Sequence, residues 1–304
     1  MKKLAATGKA RWPNLPCWEG CQPPQTGEPW ELDGTALTFV EPSGMVTLAV
    51  KAMQTGTQPL RLTLAPAVES YAQRMGLHRL LQWPEPSSMH HHLPGDRFTE
   101  LQIIKPSMPP KEGSDLCSRI AKVMGQGDPR VEDLFAYILG ELTANVRQHA
   151  GRPGVVMAQS YAEDHTVEFA IGDWGIGIKA GLSENPAFRG IGDREALELA
   201  IRPNTSGKDW AGAPGYGVRE NSGNGLFTLS FLAREGQGRF LLASGTFALF
   251  ISGPRTHYKA LQCPFPGTLV SLRFTPGGMD LGSLLHEASK VRGLANRQDD
   301  LQFE

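Results

Sequence analysis

The chain has 304 residues, enough for one large domain or two smaller ones. Its formal net charge is −1 and its pI is near 6.7, which argues against a broad nucleic-acid-binding surface, so we expect no nucleic-acid partner. No apolar run approaches the length of a membrane span, and the first residues are not followed by a signal-peptide core, so we expect a cytoplasmic protein without membrane contact. The cysteines are scattered, and we interpret all four as reduced structural thiols.

The N-terminal third divides into two parts. Residues 1–34 hold many of the prolines and tryptophans without hydrophobic periodicity, and we interpret them as an irregular N-terminal arm. From Thr35 the pattern predicts strands over 36–40 and 60–64 and helices over 44–54 and 68–75. Alternating strands and helices joined by short loops predict a small α/β unit over residues 35–83.

Residues 37–44, LTFVEPSG, resemble the strand-to-helix turn of STAS domains, the anti-sigma-factor antagonist class. By this resemblance Ser43 stands where such domains carry a phosphorylatable serine. Glu41 and Pro42 replace the usual Asp-Ser pair, however, and the unit is short for a full STAS domain. We therefore interpret Ser43 as a helix N-cap, with a phosphorylation site as the alternative.

Residues 84–95 are rich in proline and serine and predict a linker. The linker contains three adjacent histidines, His90, His91 and His92. Three neighbouring histidines in a proline-flanked loop cannot all face one ion without further ligands, so we expect a solvated loop instead of a metal site.

After a predicted strand over 97–105 and a predicted helix over 115–124, residues 131–150 predict one amphipathic helix with a core-facing apolar stripe. Asp128 suits the N-cap of this helix, and Pro129 suits its first position. Glu141, Asn145 and His149 are spaced four apart and line a second face. A carboxylate and an amide on one face can position a water and a hard cation such as Mg²⁺, while a solvated polar stripe is the alternative.

Three glycine-containing segments follow. Residues 166–172 predict a strand that pairs with 154–161 as an antiparallel hairpin and runs into the sequence DWGIG at 173–177. A carboxylate at a strand end before two glycines suits a buried acceptor that a flat ligand can approach. Residues 220–226, ENSGNGL, form a glycine-rich loop before a helix, which suits a phosphate. The sequence PGT at 266–268 opens a strand over 269–274.

These four segments, in this order, resemble the GHKL ATPase family, which includes gyrase-type ATPases, ninety-kilodalton chaperones and histidine kinases. The resemblance covers residues 96–276 and implies the Bergerat ATP-binding fold. That fold belongs to the α+β class and is a two-layer α/β sandwich with helices on one face of a mixed sheet. Residues 277–304 would form a C-terminal helix and tail. The cofactors implied are ATP and Mg²⁺.

The resemblance also implies roles for individual residues. Asn145 would ligate Mg²⁺, Asp173 would accept a hydrogen bond from the adenine amino group, and Glu141 would be the general base. Thr268 would support the Asp173 end of the adenine pocket. The nucleotide-binding set would be Asn145, His149, Asp173, Gly175, Gly177, Arg219, Gly223, Asn224, Gly225, Leu226 and Thr268.

Residues 204–222 lie where the family has its mobile ATP lid, which explains a long loop rich in Gly and Pro. Lys208 and Arg219 are its cations, and we favour Arg219 as a phosphate contact because it adjoins the glycine loop. Charged surface is the alternative for both.

Two kinds of function remain open. The first is a GHKL enzyme that uses Mg-ATP for hydrolysis or for phosphoryl transfer to a protein serine or threonine, resembling the anti-sigma-factor kinases. The second is a non-hydrolysing module whose lid, ordered by ATP, recruits a protein partner of unknown identity. Glu141 favours the enzyme, while the unusual lid and the altered Ser43 region favour the module. A homodimer is compatible with both.

Overall fold

A computed structural model of the protein describes residues 2–10, 15, 17–19, 28–56, 59, 61–84, 97–208, 224–236, 238–278, 283–284 and 286–291. The strands in these ranges are β1 (Lys2–Ala10), β2 (Cys17–Glu19), β3 (Trp30–Val40), β4 (Arg61–Leu64), β5 (Phe98–Ile104), β6 (Gly154–Tyr161), β7 (Thr166–Asp173), β8 (Arg239–Ser252) and β9 (Arg255–Phe274). The helices are α1 (Pro42–Met53), α2 (Pro66–Arg74), α3 (Leu77–Leu80), α4 (Pro110–Gly125), α5 (Pro129–Asn145), α6 (Gly177–Leu182), α7 (Asp193–Ala200) and α8 (Gly225–Glu235). Residues 283–284 and 286–291 are helical as well, within the predicted C-terminal helix.

A five-stranded sheet forms the centre of the fold, with the strand order β5-β6-β7-β9-β8. Each neighbouring pair is antiparallel, so the α+β class is confirmed but the predicted mixed character of this sheet is wrong. The predicted hairpin is confirmed, because β6 pairs with β7 along its whole length. Residues 239–252 form one long strand, β8, and the predicted strand over 269–274 is the end of β9.

The helices α4, α5 and α8 cover one face of this sheet and share a hydrophobic core with it. Phe135 of α5 lies at the centre of this core and is fully buried. Its ring stacks on that of Phe274 with 5.0 Å between centroids and meets the ring of Phe169 edge-on at 6.0 Å. Such aromatic pairs add to the free energy of burial, and they hold α5 in place over β7 and β9.

A second sheet has the order β2-β1-β3-β4, with β1, β3 and β4 parallel and β2 antiparallel to β1. Residues 2–10 and 17–19 are therefore strands, whereas the sequence predicts an irregular arm over 1–34. The difference has a tertiary cause. β1 is paired along β3 from Trp30 to Val40, and this pairing decides a conformation that the local sequence pattern leaves open.

Helix α1 lies between the two sheets. It packs on the face of the five-stranded sheet opposite α5, where a Cβ on Gly172 would be 2.9 Å from Val46 Cγ1. Its residues 42–52 are all buried, as expected for a helix that is apolar on nearly every side. One core joins residues of β1, β3 and α1 with residues of β6, β7, β8 and β9. The helices α4, α5 and α8 of residues 96–276 therefore lie on one face of the sheet, as predicted, and α1 of the N-terminal unit covers the other face.

The start of α1 differs from the prediction for Ser43. Glu41 is the N-cap residue, and Ser43 lies inside the first turn with 1% of its surface exposed. Its backbone N–H donates to Glu168 Oε1 at 3.3 Å. Pro42 suits the first position of the helix, which therefore begins before Ser43. A Cβ on Gly44 would collide with the backbone oxygen of Ala10, so this glycine lets the first turn pack against β1.

Cys263 is disulfide-bonded, so the prediction of reduced thiols is wrong for this residue. Cys117 is a free, buried thiol, and burial raises its pKa. Among the described helices, none combines the length and the apolar character needed to cross a membrane. Most of the predicted linker, including the three histidines at 90–92, lies outside the described residues.

Candidate functional site

The helix α5 and the turn that follows it carry three predicted site residues, Glu141, Asn145 and His149. Its start matches the sequence prediction: the Asp128 side chain accepts the backbone N–H of Arg130 at 3.0 Å, and Pro129 takes the first position. The regular helix ends at Asn145, however, and a π-helical turn follows over Val146–Ala150. Such turns often mark functional sites. The predicted four-residue spacing therefore aligns Glu141 with Asn145, while His149 lies within the π-helical turn and its side chain is outside the described part.

Glu141 is 8% exposed and joins α5 to the start of α8. Its Oε2 accepts the backbone N–H of Gly225 at 3.0 Å, and its Oε1 accepts the hydroxyl of Tyr137 at 3.1 Å. The first N–H groups of a helix lack partners within the helix and carry a partial positive charge. The Glu141 carboxylate satisfies one of these groups, so the polar face of α5 and the glycine-rich loop that ends at the start of α8 meet at this point.

Asp173 lies at the end of β7 with 6% of its surface exposed. Its Oδ1 accepts the backbone N–H of Gly175 at 2.7 Å. Burial raises the pKa of Asp173 to about 6, although hydrogen bonds from the backbone N–H groups of Gly175 and Thr268 oppose this rise. A buried carboxylate that is ionised at neutral pH is a strong acceptor for a donor placed in the adjoining space.

Two glycines let three backbone segments meet around Asp173. A Cβ on Gly175 would collide with the backbone of Ala150, and a Cβ on Gly267 would collide with Asp173 and with the backbone nitrogen of Gly175. Gly177 adopts φ +76°, which favours glycine. Gly175 and Gly267 are therefore required for close packing, and Gly177 is favoured by its backbone conformation.

A cavity of about 190 Å³ lies between these segments. Its lining brings together six of the residues predicted from the sequence: Asn145, Asp173, Gly177, Gly225, Leu226 and Thr268. Glu141 and Gly175 lie directly behind this lining through their contacts with Gly225 and Asp173. Asn224 is buried at the N-cap of α8, where its Oδ1 accepts the backbone N–H of Asn204 at 3.3 Å. Arg219 and Gly223 lie outside the described residues.

The outer wall of the cavity consists of α6 and residues 205–208, the described part of the predicted lid. A Cβ on Gly207 would collide with the backbone oxygen of Gly181, so this part of the lid packs directly on α6. Lys208 is exposed and lines the cavity, as does Glu184. Apolar side chains form the rest of the lining, including Leu142, Val146, Ile171, Ile178, Leu182 and Val270.

Several of these residues were missed in the sequence. Tyr137 stands four residues before Glu141 on the same helical face, and this spacing could have identified it. Ser244 accepts the backbone N–H of Ile178 at 3.0 Å and fixes the start of α6, but a sequence separation of 66 positions leaves no local signal. The position of Glu184 in the cavity lining likewise depends on tertiary packing alone.

A metal ion at this site would need ligands beyond the described side chains. Among the described residues, no group of three or more His, Cys, Asp or Glu side chains is placed to hold a metal ion. Mg²⁺ in nucleotide sites takes one or two protein oxygens together with water and phosphate oxygens. The half-buried amide of Asn145, which lines the cavity next to the start of α8, fits such a role.

Comparison of the chain with models of known protein families, with curated proteins and with solved structures found no significant match.

Proposed function

We propose that this cavity binds Mg-ATP in the manner of the GHKL family, on a Bergerat-type fold, and that the protein uses ATP for hydrolysis or for phosphoryl transfer to a protein serine or threonine in a regulatory switch. One observation carries the proposal. Four segments that are far apart in sequence place Asn145, Asp173, Gly225 and Thr268 around a single cavity.

The Asp173 end of the cavity would hold the adenine. Gly175 donates to Asp173 Oδ1, and the backbone N–H of Thr268 also donates to this carboxylate. A carboxylate offers about four lone-pair directions, so Asp173 would still accept the amino group of the base. Gly175 and Gly267 have no side chains, so a planar ring can approach the backbone at this point. Ile171 and Val270 of the sheet supply an apolar surface for the ring.

The α8 end of the cavity would hold the phosphates. The N-terminus of α8 begins at Gly225, where backbone N–H groups and the helix dipole favour a negative charge. Mg²⁺, held by Asn145, would supply charge neutralisation on the phosphates. Lys208 stands at the outer wall and would add a cation from the lid.

Glu141 would act as the general base that orients and deprotonates the attacking water or hydroxyl. In the structure both of its oxygens already accept hydrogen bonds, from Gly225 and Tyr137. A carboxylate offers about four lone-pair directions, so these bonds fix its orientation and leave it able to accept a further proton.

The same two hydrogen bonds also support the alternative function, a nucleotide-dependent binding module. In that case Glu141 would serve only to join α5 to α8, and ATP would remain intact while the ordered lid recruits a protein partner. Ser43 is not part of either proposal, because a residue with 1% exposure cannot reach a kinase unless α1 leaves the sheet.

Calorimetric titration of ATP and ADP with Mg²⁺, followed by product analysis of the same samples, tests both the enzyme and the binding module. Wild-type protein should bind ATP and release ADP. Glu141→Gln keeps an oxygen for the Gly225 N–H, so it should keep ATP binding but lose turnover by about 10²-fold or more, as expected for loss of a general base. Glu195→Gln, at an exposed position of α7 that does not line the cavity, is the matched control and should retain turnover. Bound but intact ATP in the wild type would support the binding module, and absence of ATP binding would refute both functions.

A further inference from the structure

A second cavity, of about 260 Å³, lies between α1 and the β8–β9 hairpin and shares no lining residue with the candidate nucleotide site. Helix α1 contributes Thr47 and Lys51 to its wall, and the strands contribute aromatic and aliphatic side chains. No aspartate or glutamate is among the described residues that line it. The lining consists of Leu15, Thr47, Lys51, Phe250, Lys259, Ala260, Leu261, Gln262, Cys263 and Phe265.

Lys51 is the unusual member of this wall, because it is only 6% exposed. Its ammonium group donates one hydrogen bond, to the backbone oxygen of Pro264 at 2.8 Å. Within the described part of the chain, no carboxylate lies within 4.0 Å of its Nζ. Burial lowers the pKa of Lys51 to about 8, and no neighbouring negative charge opposes this effect.

Burial of an ammonium group without a counter-ion costs free energy, because the group loses most of its hydration. Lys51 gains only one hydrogen bond, to a backbone carbonyl, in place of that hydration. Lysine is almost never this buried unless it is paired. A methionine of similar length would fill the same path along α1 without the charge. The retained charge therefore suggests that the partner of Lys51 is a molecule that enters the cavity.

We propose that this cavity binds a small carboxylic acid with an apolar body, through an ion pair between its carboxylate and the Lys51 ammonium. A single negative charge matches the single buried cation, whereas a phosphate dianion would leave an excess negative charge in the interior. Phe250, Leu261 and Phe265 provide the surface for an apolar body. The volume is sufficient, because a cavity of about 150 Å³ already holds benzene.

Octanoate, its uncharged analogue octanol, and inorganic phosphate are suitable probes for calorimetric titration of the full-length protein at pH 7. We expect octanoate to bind at least about tenfold more tightly than octanol, as a charge-assisted hydrogen bond adds 1.5–3 kcal/mol and 1.4 kcal/mol is tenfold. Phosphate should bind at least about tenfold more weakly than octanoate, because it lacks an apolar body. Phosphate binding as tight as that of octanoate would overturn the proposed ligand class.

Lys51→Met separates an ion pair from simple hydrophobic binding. The variant should bind octanol as the wild type does, which shows that the cavity is intact, but its preference for octanoate should disappear. Lys259→Met is the matched control, because Lys259 lines the same cavity from an exposed position on β9. It should keep the preference. If Lys259→Met abolished the preference and Lys51→Met retained it, the anion would be bound at the surface and the proposal would be wrong.

The pH dependence provides a second readout. As Lys51 loses its proton above pH 8, octanoate affinity should fall by about tenfold or more between pH 7 and pH 10, while octanol affinity stays constant. Lys259 is the other titratable side chain in the described lining, because the disulfide-bonded Cys263 does not titrate. The fall in octanoate affinity should therefore persist in Lys259→Met, and a pH-independent affinity in that variant would overturn the proposal.

Discussion

Asp173→Asn should make the protein more stable and its ATP site weaker, and these opposite effects test the assignment of Asp173. Burial raises the pKa of Asp173 from 3.8 to about 6. The unfolded chain therefore ionises near pH 4 while the folded chain still holds the proton. Stability is lost as pH rises from 4 to 6, and the loss is complete above pH 6. Two pKa units correspond to about 3 kcal/mol.

Asparagine removes this loss and keeps an oxygen for the N–H group of Gly175. We expect Asp173→Asn to raise the free energy of unfolding by up to about 3 kcal/mol at pH 8 and to leave it unchanged below pH 4. Urea unfolding at both pH values measures the difference. Asp193→Asn is a control of opposite sign, because the hydrogen bonds from Thr246 lower the pKa of Asp193, so its replacement should destabilise the protein at pH 8.

The ATP affinity should change in the other direction. Loss of a charge-assisted hydrogen bond to adenine should weaken ATP binding by about 1.5–3 kcal/mol, roughly ten- to a hundredfold. Wild-type affinity, relative to that of the variant, should also fall below pH 6 as Asp173 is protonated. If calorimetry showed equal ATP affinity for both proteins, with or without the gain in stability, Asp173 would not be the adenine acceptor.

Three further substitutions test separate parts of the fold and the site. Glu168→Gln should raise the free energy of unfolding by about 3 kcal/mol at pH 8.5 but not at pH 4, because burial raises the pKa of Glu168 from 4.5 to about 7 and the folded state loses stability as pH rises through that range. Glu163→Gln, on the exposed β6–β7 turn, is its control, and an equal effect of both in urea unfolding would refute the reasoning. Gly267→Ala should destabilise the protein by about 1–3 kcal/mol in thermal unfolding and abolish ATP binding in calorimetry, since the added Cβ collides with Asp173; wild-type affinity would contradict the close packing. Tyr137→Phe should slow turnover about tenfold at unchanged ATP affinity, because a charge-assisted hydrogen bond to the carboxylate base is worth about 1.5 kcal/mol or more, and an altered ATP affinity in steady-state and binding assays would argue against a positioning role.

Features set by neighbouring residues could be predicted from the sequence. The start of α5 follows from Asp128 and Pro129, because an N-cap acts within one helical turn. The β6–β7 hairpin follows from two apolar runs and a short turn between them. Gly175 could be identified as a site of close backbone approach, although its partner Ala150 could not.

Features set by distant residues could not be predicted in this way. The strand β1 depends on its pairing with β3, and the end of the regular helix at Asn145 depends on the π-helical turn that follows it. The apolar surface of α1 indicates burial, but only the tertiary structure shows that it covers the second face of the five-stranded sheet. The same packing buries Lys51 beside a cavity whose described lining contains no acidic residue. The sequence by itself determined which backbone positions can turn, cap or approach closely, because those preferences act over a few residues. The tertiary structure decided which surfaces meet, because hydrophobic burial has no preferred direction along the chain and depends on the whole arrangement of sheets and helices.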